Sequence, residues 1–224
     1  VLQLLPEPEF VTMWRNRIGP EQFKKEMEWY GERGTIIHLM CENHFLWRNE
    51  PIPTDPKLQK VVAWFHYFIN AYKHLITPVL WTYFTEWQLF SEILGYAWRF
   101  DLICCFAGKI TLVDFKTSTN SKISPEQKKK HSMQLSAYVA MWNSVHPELP
   151  IEQAMVVMFT DSKKTGLGEV FLIPMEDNSV EIDLVRAWKN FRSFLIAFHL
   201  EYVPELSTQE RLLLISSYEI CKKV

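Results

Sequence analysis

The order of apolar patterns along this 224-residue chain predicts an α/β fold, a mixed central β-sheet flanked by helices. Apolar residues at helical spacing fill the chain up to about residue 78 and return after about residue 181. Between them lie five short runs rich in β-branched and aromatic residues, bounded by glycine, proline and polar turns.

Residues 20–47 read as helix with a break near 31–34, where Gly31 and Gly34 flank Glu32 and Arg33, and a new helix starts at Thr35. PIPTDP, residues 51–56, is a turn. Val61, Val62, Phe65, Phe68, Ile69, Tyr72, Leu75 and Ile76 then recur at helical spacing until Pro78, which makes one long amphipathic helix. The runs VLWTYFTEW, RFDLICCF and KITLVDFKT, separated by Gly95 and by Ala107-Gly108, read as a three-stranded antiparallel meander. Residues 120–130 are a polar loop, followed by a helix over about 131–145 that His146-Pro147 ends. Strands near 154–160 and 169–174 are joined through a turn at 163–168. Residues 182–201 and 208–222 read as helices, the first with an apolar stripe of Val185, Trp188, Phe191, Phe194, Leu195 and Phe198.

A hydrophobic fraction of 48%, with 14% aromatic residues, is enough to fill a core, so residues 1–224 are expected to form a single domain. Its parts are a helical region over about 10–78, a sheet core over about 79–175 and terminal helices over about 181–222. No repeat of solenoid period is present, and seven Gly and twelve Pro are too few for a low-complexity chain. Cys41, Cys104, Cys105 and Cys221 include no CxxC, so the usual spacing for structural zinc or an iron-sulfur cluster is missing. The adjacent pair 104/105 would point to opposite sides of a strand, which does not suit a bridge and agrees with a reducing compartment. His66, Asn70, Lys73, His74 and Pro78 interrupt the longest apolar stretch, so no membrane association is expected. An intracellular location follows: the cytoplasm, or an organelle or host-cell interior if a targeting segment was removed. A net charge of -2 excludes coating of duplex DNA through overall charge and leaves nucleic-acid contact to a local patch.

The stretch RFDLICCFAGKITLVDFKTS, residues 99–118, puts one carboxylate early in a strand and a D-x-K triplet late in the next. Side chains alternate along a strand, so Asp114 and Lys116 share a face while Phe115 points to the other, towards the core. A hairpin returning through Ala107-Gly108 brings Asp101 beside Asp114. Two such carboxylates suit a hard divalent cation, Mg²⁺ or Mn²⁺, and a neighbouring lysine can position water and offset charge on phosphate oxygens. That equipment serves phosphodiester hydrolysis. Taken alone, D-x-K is also the pattern of an ordinary surface ion pair on an edge strand.

Other pieces bear on the choice. In GTIIHLMCE, residues 34–42, His38 and Glu42 are four apart on one helix face, where imidazole can join a carboxylate metal site and a carboxylate can orient its ligands. Gln134 and Tyr138 likewise share a face, able to bond the lysine or a phosphate, or to pad the core.

In order, G-T-x-x-H-x-x-x-E, G-Y-x-x-x-x-D, D-F-K-T-S and Q-L-x-x-Y resemble the motif series of the RecB-like branch of the PD-(D/E)XK nucleases, over about residues 31–198. The stretches SEILGYAWRFDLICCFAGKITLVDFKTSTNSK and QLSAYVAMWN are most similar to the mitochondrial genome maintenance exonuclease subgroup. The resemblance implies a restriction-endonuclease-like core, with His38, Asp101, Asp114 and the Phe115 carbonyl holding the metal and Lys116 as catalytic lysine. It makes Gln134 and Tyr138 supporting residues, leaves Glu42 and Glu86 in an outer or structural role, and lets Thr117 and Ser118 contact phosphate. Trp98 stands where the family commonly has a small residue, and either fills the core or flanks the substrate as a stacking surface. The cysteine set that holds an iron-sulfur cluster in some relatives is missing, so none is expected.

Lys122, Lys128, Lys129, Lys130 and His131 lie between the D-x-K strand and the Gln134 helix, as a grip on the phosphate backbone or a solvated loop. The function expected is a Mg²⁺- or Mn²⁺-dependent DNA exonuclease acting on single strands or ends in replication, recombination or repair, with proteins of those processes as possible partners. The alternatives are a structure- or site-specific endonuclease on the same core and a nuclease-like module that only binds nucleic acid. No P-loop is present for a helicase motor.

Overall fold

The computed structural model describes residues 9–50, 52–91, 96–191 and 193. Its helices are α1 (Glu9–Ile18), α2 (Pro20–Phe45), α3 (Pro56–Tyr72) and α4 (Pro125–Val145). Its strands are β1 (Ile76–Thr77), β2 (Phe84–Ser91), β3 (Tyr96–Phe106), β4 (Lys109–Ser118), β5 (Gln153–Thr160) and β6 (Leu167–Pro174). Residues 184–191 are also helical, and the remaining terminal helices expected from the sequence, with Phe194, Leu195 and Phe198, lie outside the described residues.

The strands form one mixed sheet in the order β1-β3-β4-β5-β6, with β2 also paired to β3. All pairings are antiparallel except β4 with β5, whose parallel register needs a crossover, and α4 supplies it. The expected meander is present as β2, β3 and β4. Leu102, Cys104, Phe106, Val113, Phe115, Met155, Val157 and Phe159 pack with α2 and α3 on one face of the sheet. Ile103, Leu112, Ala154, Val156, Met158 and Ile173 pack with α4 and with Leu184 and Phe191 on the other.

Four boundaries differ from the sequence reading. The first strand of the meander starts at Phe84 and not at Val79, because Val79 bridges Thr82 across a tight turn in which Leu80 and Trp81 take positive φ. Helix α2 runs without a break through Gly31 and Gly34, because Arg33, Ile37, Met40, Cys41 and Phe45 bury its side, and that burial outweighs roughly 1 kcal/mol of lost propensity per glycine. Helix α3 stops at Tyr72, and Ile76 pairs with Phe106 as a short strand instead of continuing the helix. Helix α4 starts at Pro125, six residues before His131, held by a capping box in which the Ser124 hydroxyl accepts from Gln127 N–H and the Gln127 side chain accepts from Ser124 N–H. The turn between β5 and β6 contains Gly166 at φ 68°, packed so closely under Trp64 that an added Cβ would overlap the indole. Among the described residues no helix is long and apolar enough to cross a membrane.

Candidate active site

β3 and β4 form a hairpin that opens at one end. Their ladder runs from Phe106↔Lys109 to Leu102↔Val113 and stops there, so the next two opposed residues are Asp101 and Asp114. The pair after those would be Phe100 with Phe115. Instead Phe115 N–H donates to Asp101 Oδ2 at 2.7 Å, so a carboxylate takes the place of a strand carbonyl and wedges the fork open. In extended backbone the N–H and C=O of one residue point to the same side, which turns the Phe115 carbonyl into this fork as well.

The other edge of β3 is distorted at the same level. β2 and β3 pair in constant register from Phe84↔Ile103 to Ser91↔Tyr96, with Glu86 and Asp101 the opposed pair that drops out. Glu86 has φ 49°, a left-handed conformation that disfavours a residue with a long side chain. Alternation along β3 slips there too, since Phe100 and Ile103 both pack on the α4 side while Leu102 packs towards α2. Backbone held this way against its preference is characteristic of functional sites.

His38 on α2 reaches this distortion, with Nδ1 3.0 Å from Asp101 Oδ1 and 3.2 Å from Glu86 Oε1. Ligand atoms of His38, Glu86 and Asp101 all lie within 4.8 Å of one another. Arg99 pairs with the second oxygen of Glu86, and Cys41 Sγ lies 3.8 Å from the Asp101 carbonyl. Burial works against a charged imidazole, but the hydrogen bonds and charges of Asp101 and Glu86 outweigh it and lift His38 to about 10. Burial alone would raise Glu86, yet His38 and Arg99 hold its carboxyl below the usual range. Asp101 is raised, chiefly by burial and then by the nearby charge of Asp114, with His38 and Lys116 opposing.

Asp114 is 3% exposed and, with Lys116, emerges on the α4 face, while Phe115 turns to the other side among Phe65, Phe68 and Phe159. Lys116 Nζ donates to Asp114 Oδ1 at 2.7 Å. Asp114 Oδ2 is buried without a partner among the described residues. Burial opposes the Lys116 ammonium, but Asp114 and Asp101 outweigh it and raise its pKa, which favours the charged form.

Across from Lys116, Gln134 Nε2 donates to the Tyr138 hydroxyl at 2.6 Å, as their shared helix face predicts. Burial, joined by Asp114 and Asp101, raises the Tyr138 phenol, which therefore stays protonated. The Trp98 ring meets Tyr138 edge-on at 4.7 Å and packs against the apolar core, the core-filling option for this residue. His131 stands one turn before Gln134. Burial lowers its pKa to about 4, with Asp114 opposing and Lys116 and Lys130 assisting, so it adds no positive charge to the lysine run. Lys128 and Lys129 pair with Glu169 and Glu181 at 2.6 and 3.6 Å. Thr117 and Ser118 line a separate cleft next to Lys116. Glu42 lines the His38 cleft but pairs with Arg48 at 2.8 Å.

The structure thus gathers His38, Asp101 and, unexpectedly, Glu86 into one ligand cluster, and places Asp114 with Lys116 across the fork. Sequence reasoning left Glu86 in an outer role. Its signal was the hairpin register, which sets Glu86 opposite Asp101, but a register wrong by one residue sends a side chain to the other face. This set fits a divalent cation. Hard ions take carboxylate oxygens, the buried Asp114 Oδ2 is an acceptor in need of a donor or cation, and groups that bind a proton on His38 so firmly can bind a metal once it leaves.

Carboxylates and a lysine thus stand together where the sheet opens. The sequence model of the PD-(D/E)XK nuclease superfamily matches residues 15–197, and the chain belongs to that superfamily. It is therefore a nuclease, acting on nucleic acid, of a family that uses divalent metals, and its sheet and helices are the restriction-endonuclease-like fold of that family. Among solved structures it is similar to a candidate exonuclease from Eubacterium rectale, at 11% identity over 75% of this chain and 68% of that one, with a TM-score of 0.43. No curated protein matches the chain.

Proposed function

We propose that this protein is a Mg²⁺- or Mn²⁺-dependent DNA exonuclease acting on single strands or ends, with the fork between β3 and β4 as its catalytic centre. The observation that carries the reading is the fork itself, which joins Asp101 to His38 and Glu86 on one side and leaves Asp114 with Lys116 on the other. Asp101, Asp114, His38 and the Phe115 carbonyl would hold the metal, with Glu86 beside His38 and Asp101 as a further ligand. A bound divalent cation supplies Lewis-acid polarisation of the phosphate and acidifies water. Lys116 remains charged, and its ammonium donates to the attacking water or a phosphate oxygen, offsetting charge as the phosphorane forms. Gln134 and Tyr138, bonded to each other on α4, are supporting residues that cover the face of the sheet from which Asp114 and Lys116 emerge. Thr117 and Ser118 contact the backbone of the strand, and Glu42 with Arg48 borders its approach. A net charge of -2 suits a threaded strand better than a wrapped duplex.

The test uses DNA labelled at the 5′ or the 3′ end, single- or double-stranded, with Mg²⁺, Mn²⁺ or chelator. Mononucleotides or short fragments released from one end of single strands, with circular DNA resistant and chelator abolishing release, is the expected result. Cleavage of circular DNA at the same rate would make the enzyme an endonuclease, and equal digestion of single and double strands would remove the strand preference.

A further inference from the structure

A second cleft adjoins the one at His38. Tyr30 lines both the His38 cleft, about 520 Å³, and a second cleft of about 540 Å³ beyond Lys116. The second has walls from Trp14 and Arg17 on α1, Tyr30 on α2, and Thr117, Ser118 and Asn120 at the end of β4. No acidic side chain lines it, whereas Glu42, Glu86 and Asp101 line the first, so the two clefts suit different parts of a ligand. Ser118 stands two residues past Lys116, about 7 Å along an extended strand.

From this juxtaposition we infer that the second cleft is a binding track for the single-stranded polynucleotide flanking the scissile phosphate, with Trp14 and Tyr30 stacking its bases and Arg17 holding its backbone. The inference rests on the nuclease reading of the fork. Trp14 and Tyr30 rings lie 5.9 Å apart at 47°, too far tilted to stack on each other and both half-buried at the cleft wall. Arg33, wholly buried and paired with Asp161, sits 4.7 Å from the Tyr30 ring on α2 and fixes that platform from behind. Arg17 is exposed and makes no ion pair among the described residues, which leaves its five donors for phosphate. Hydroxyl and amide groups of Thr117, Ser118 and Asn120 add donors that contact a backbone without reading sequence. Aromatic faces beside a cation are the equipment for sequence-tolerant single-strand binding.

The experiment measures fluorescence anisotropy of a labelled oligodeoxynucleotide of about twelve nucleotides in chelator, a length within the usual single-strand site sizes. Wild type is compared with Trp14→Ala, Trp14→Phe, Arg17→Ala and, as control, Met13→Ala, which is 64% exposed on α1 away from the cleft. Trp14→Ala should weaken binding about tenfold and Trp14→Phe much less, as expected for stacking. Arg17→Ala, at an exposed position that folding does not need, should lower affinity and reduce the logarithmic salt slope by about 0.7. Binding by Trp14→Ala and Arg17→Ala equal to that of Met13→Ala, or no binding by wild type, would overturn the track. Hydrolysis of the same strand by wild type with Mn²⁺ is scored separately: its loss overturns the nuclease reading, while the binding differences decide the track.

Discussion

Asp101 has both oxygens committed, one to His38 and one to the Phe115 N–H, and Asp114 has one committed to Lys116 and one buried without a partner. Glu86 faces the same imidazole from the next strand and accepts Arg99 on its far oxygen, at the cost of a left-handed backbone. A glutamate kept in that conformation beside the fork should matter to metal affinity, and Glu42, drawn off by Arg48, should not. Glu86→Gln is expected to weaken Mn²⁺ binding about tenfold to a hundredfold in titration calorimetry, with Glu42→Gln near wild type. The reverse ranking would assign the outer role to Glu86. The sequence made Asp114 and Lys116 legible because period-two alternation is local, needing no knowledge of the partner strand. Glu86 was obscure because its place depends on a hairpin register marked only by Gly95, and φ at Glu86 has no trace in residue type.

At the scale of elements, α4 brings His131, Gln134 and Tyr138 to the lysine side of the fork, so its first turn sets their position. The Ser124 cap and Gln127 were present in the sequence as S-P-E-Q, masked by the three lysines and the other polar residues around them. Ser124→Ala should cost about 1 kcal/mol in urea unfolding. A loss below a few tenths would mean that the lower end of α4 is held by packing alone. Glu169 adds a second fastening, accepting from Ile123 N–H at 2.8 Å and from Lys128. Burial would raise this carboxyl, but Lys128 and Ile123 hold its folded pKa below the unfolded one. The stability it contributes is therefore present above the unfolded pKa and lost as pH falls through the folded value. Glu169→Gln should destabilise most at pH 7 and progressively less as pH falls below the usual carboxylate range and through the depressed folded value; a loss that stays constant with falling pH would contradict the ion-pair account. The continuity of α2 was hidden for a different reason, since two glycines argue for a break until the buried side of that helix is known.

Across the whole molecule, the sheet separates two cores, and the D-F-K strand joins them to the site: Asp114 and Lys116 on the α4 face, Phe115 between Phe65, Phe68 and Phe159 on the other. Phe115→Ala should therefore cost about 3–5 kcal/mol of stability, measured by chemical denaturation; a cost under about 1 kcal/mol would deny it that anchoring place. Alternating patterns made the strands and the flanking helices legible, since each face needs its own apolar covering. They could not show where β3 and β4 part, because the fork comes from a side chain displacing a backbone bond. The central claim is that this fork cuts nucleic acid, and cleavage of end-labelled DNA with Mg²⁺ or Mn²⁺ by wild type, Asp114→Ala and Lys116→Ala tests it most directly. Each variant, folded by circular dichroism, should lose at least about a hundredfold in rate, and undiminished cleavage in both would contradict the account.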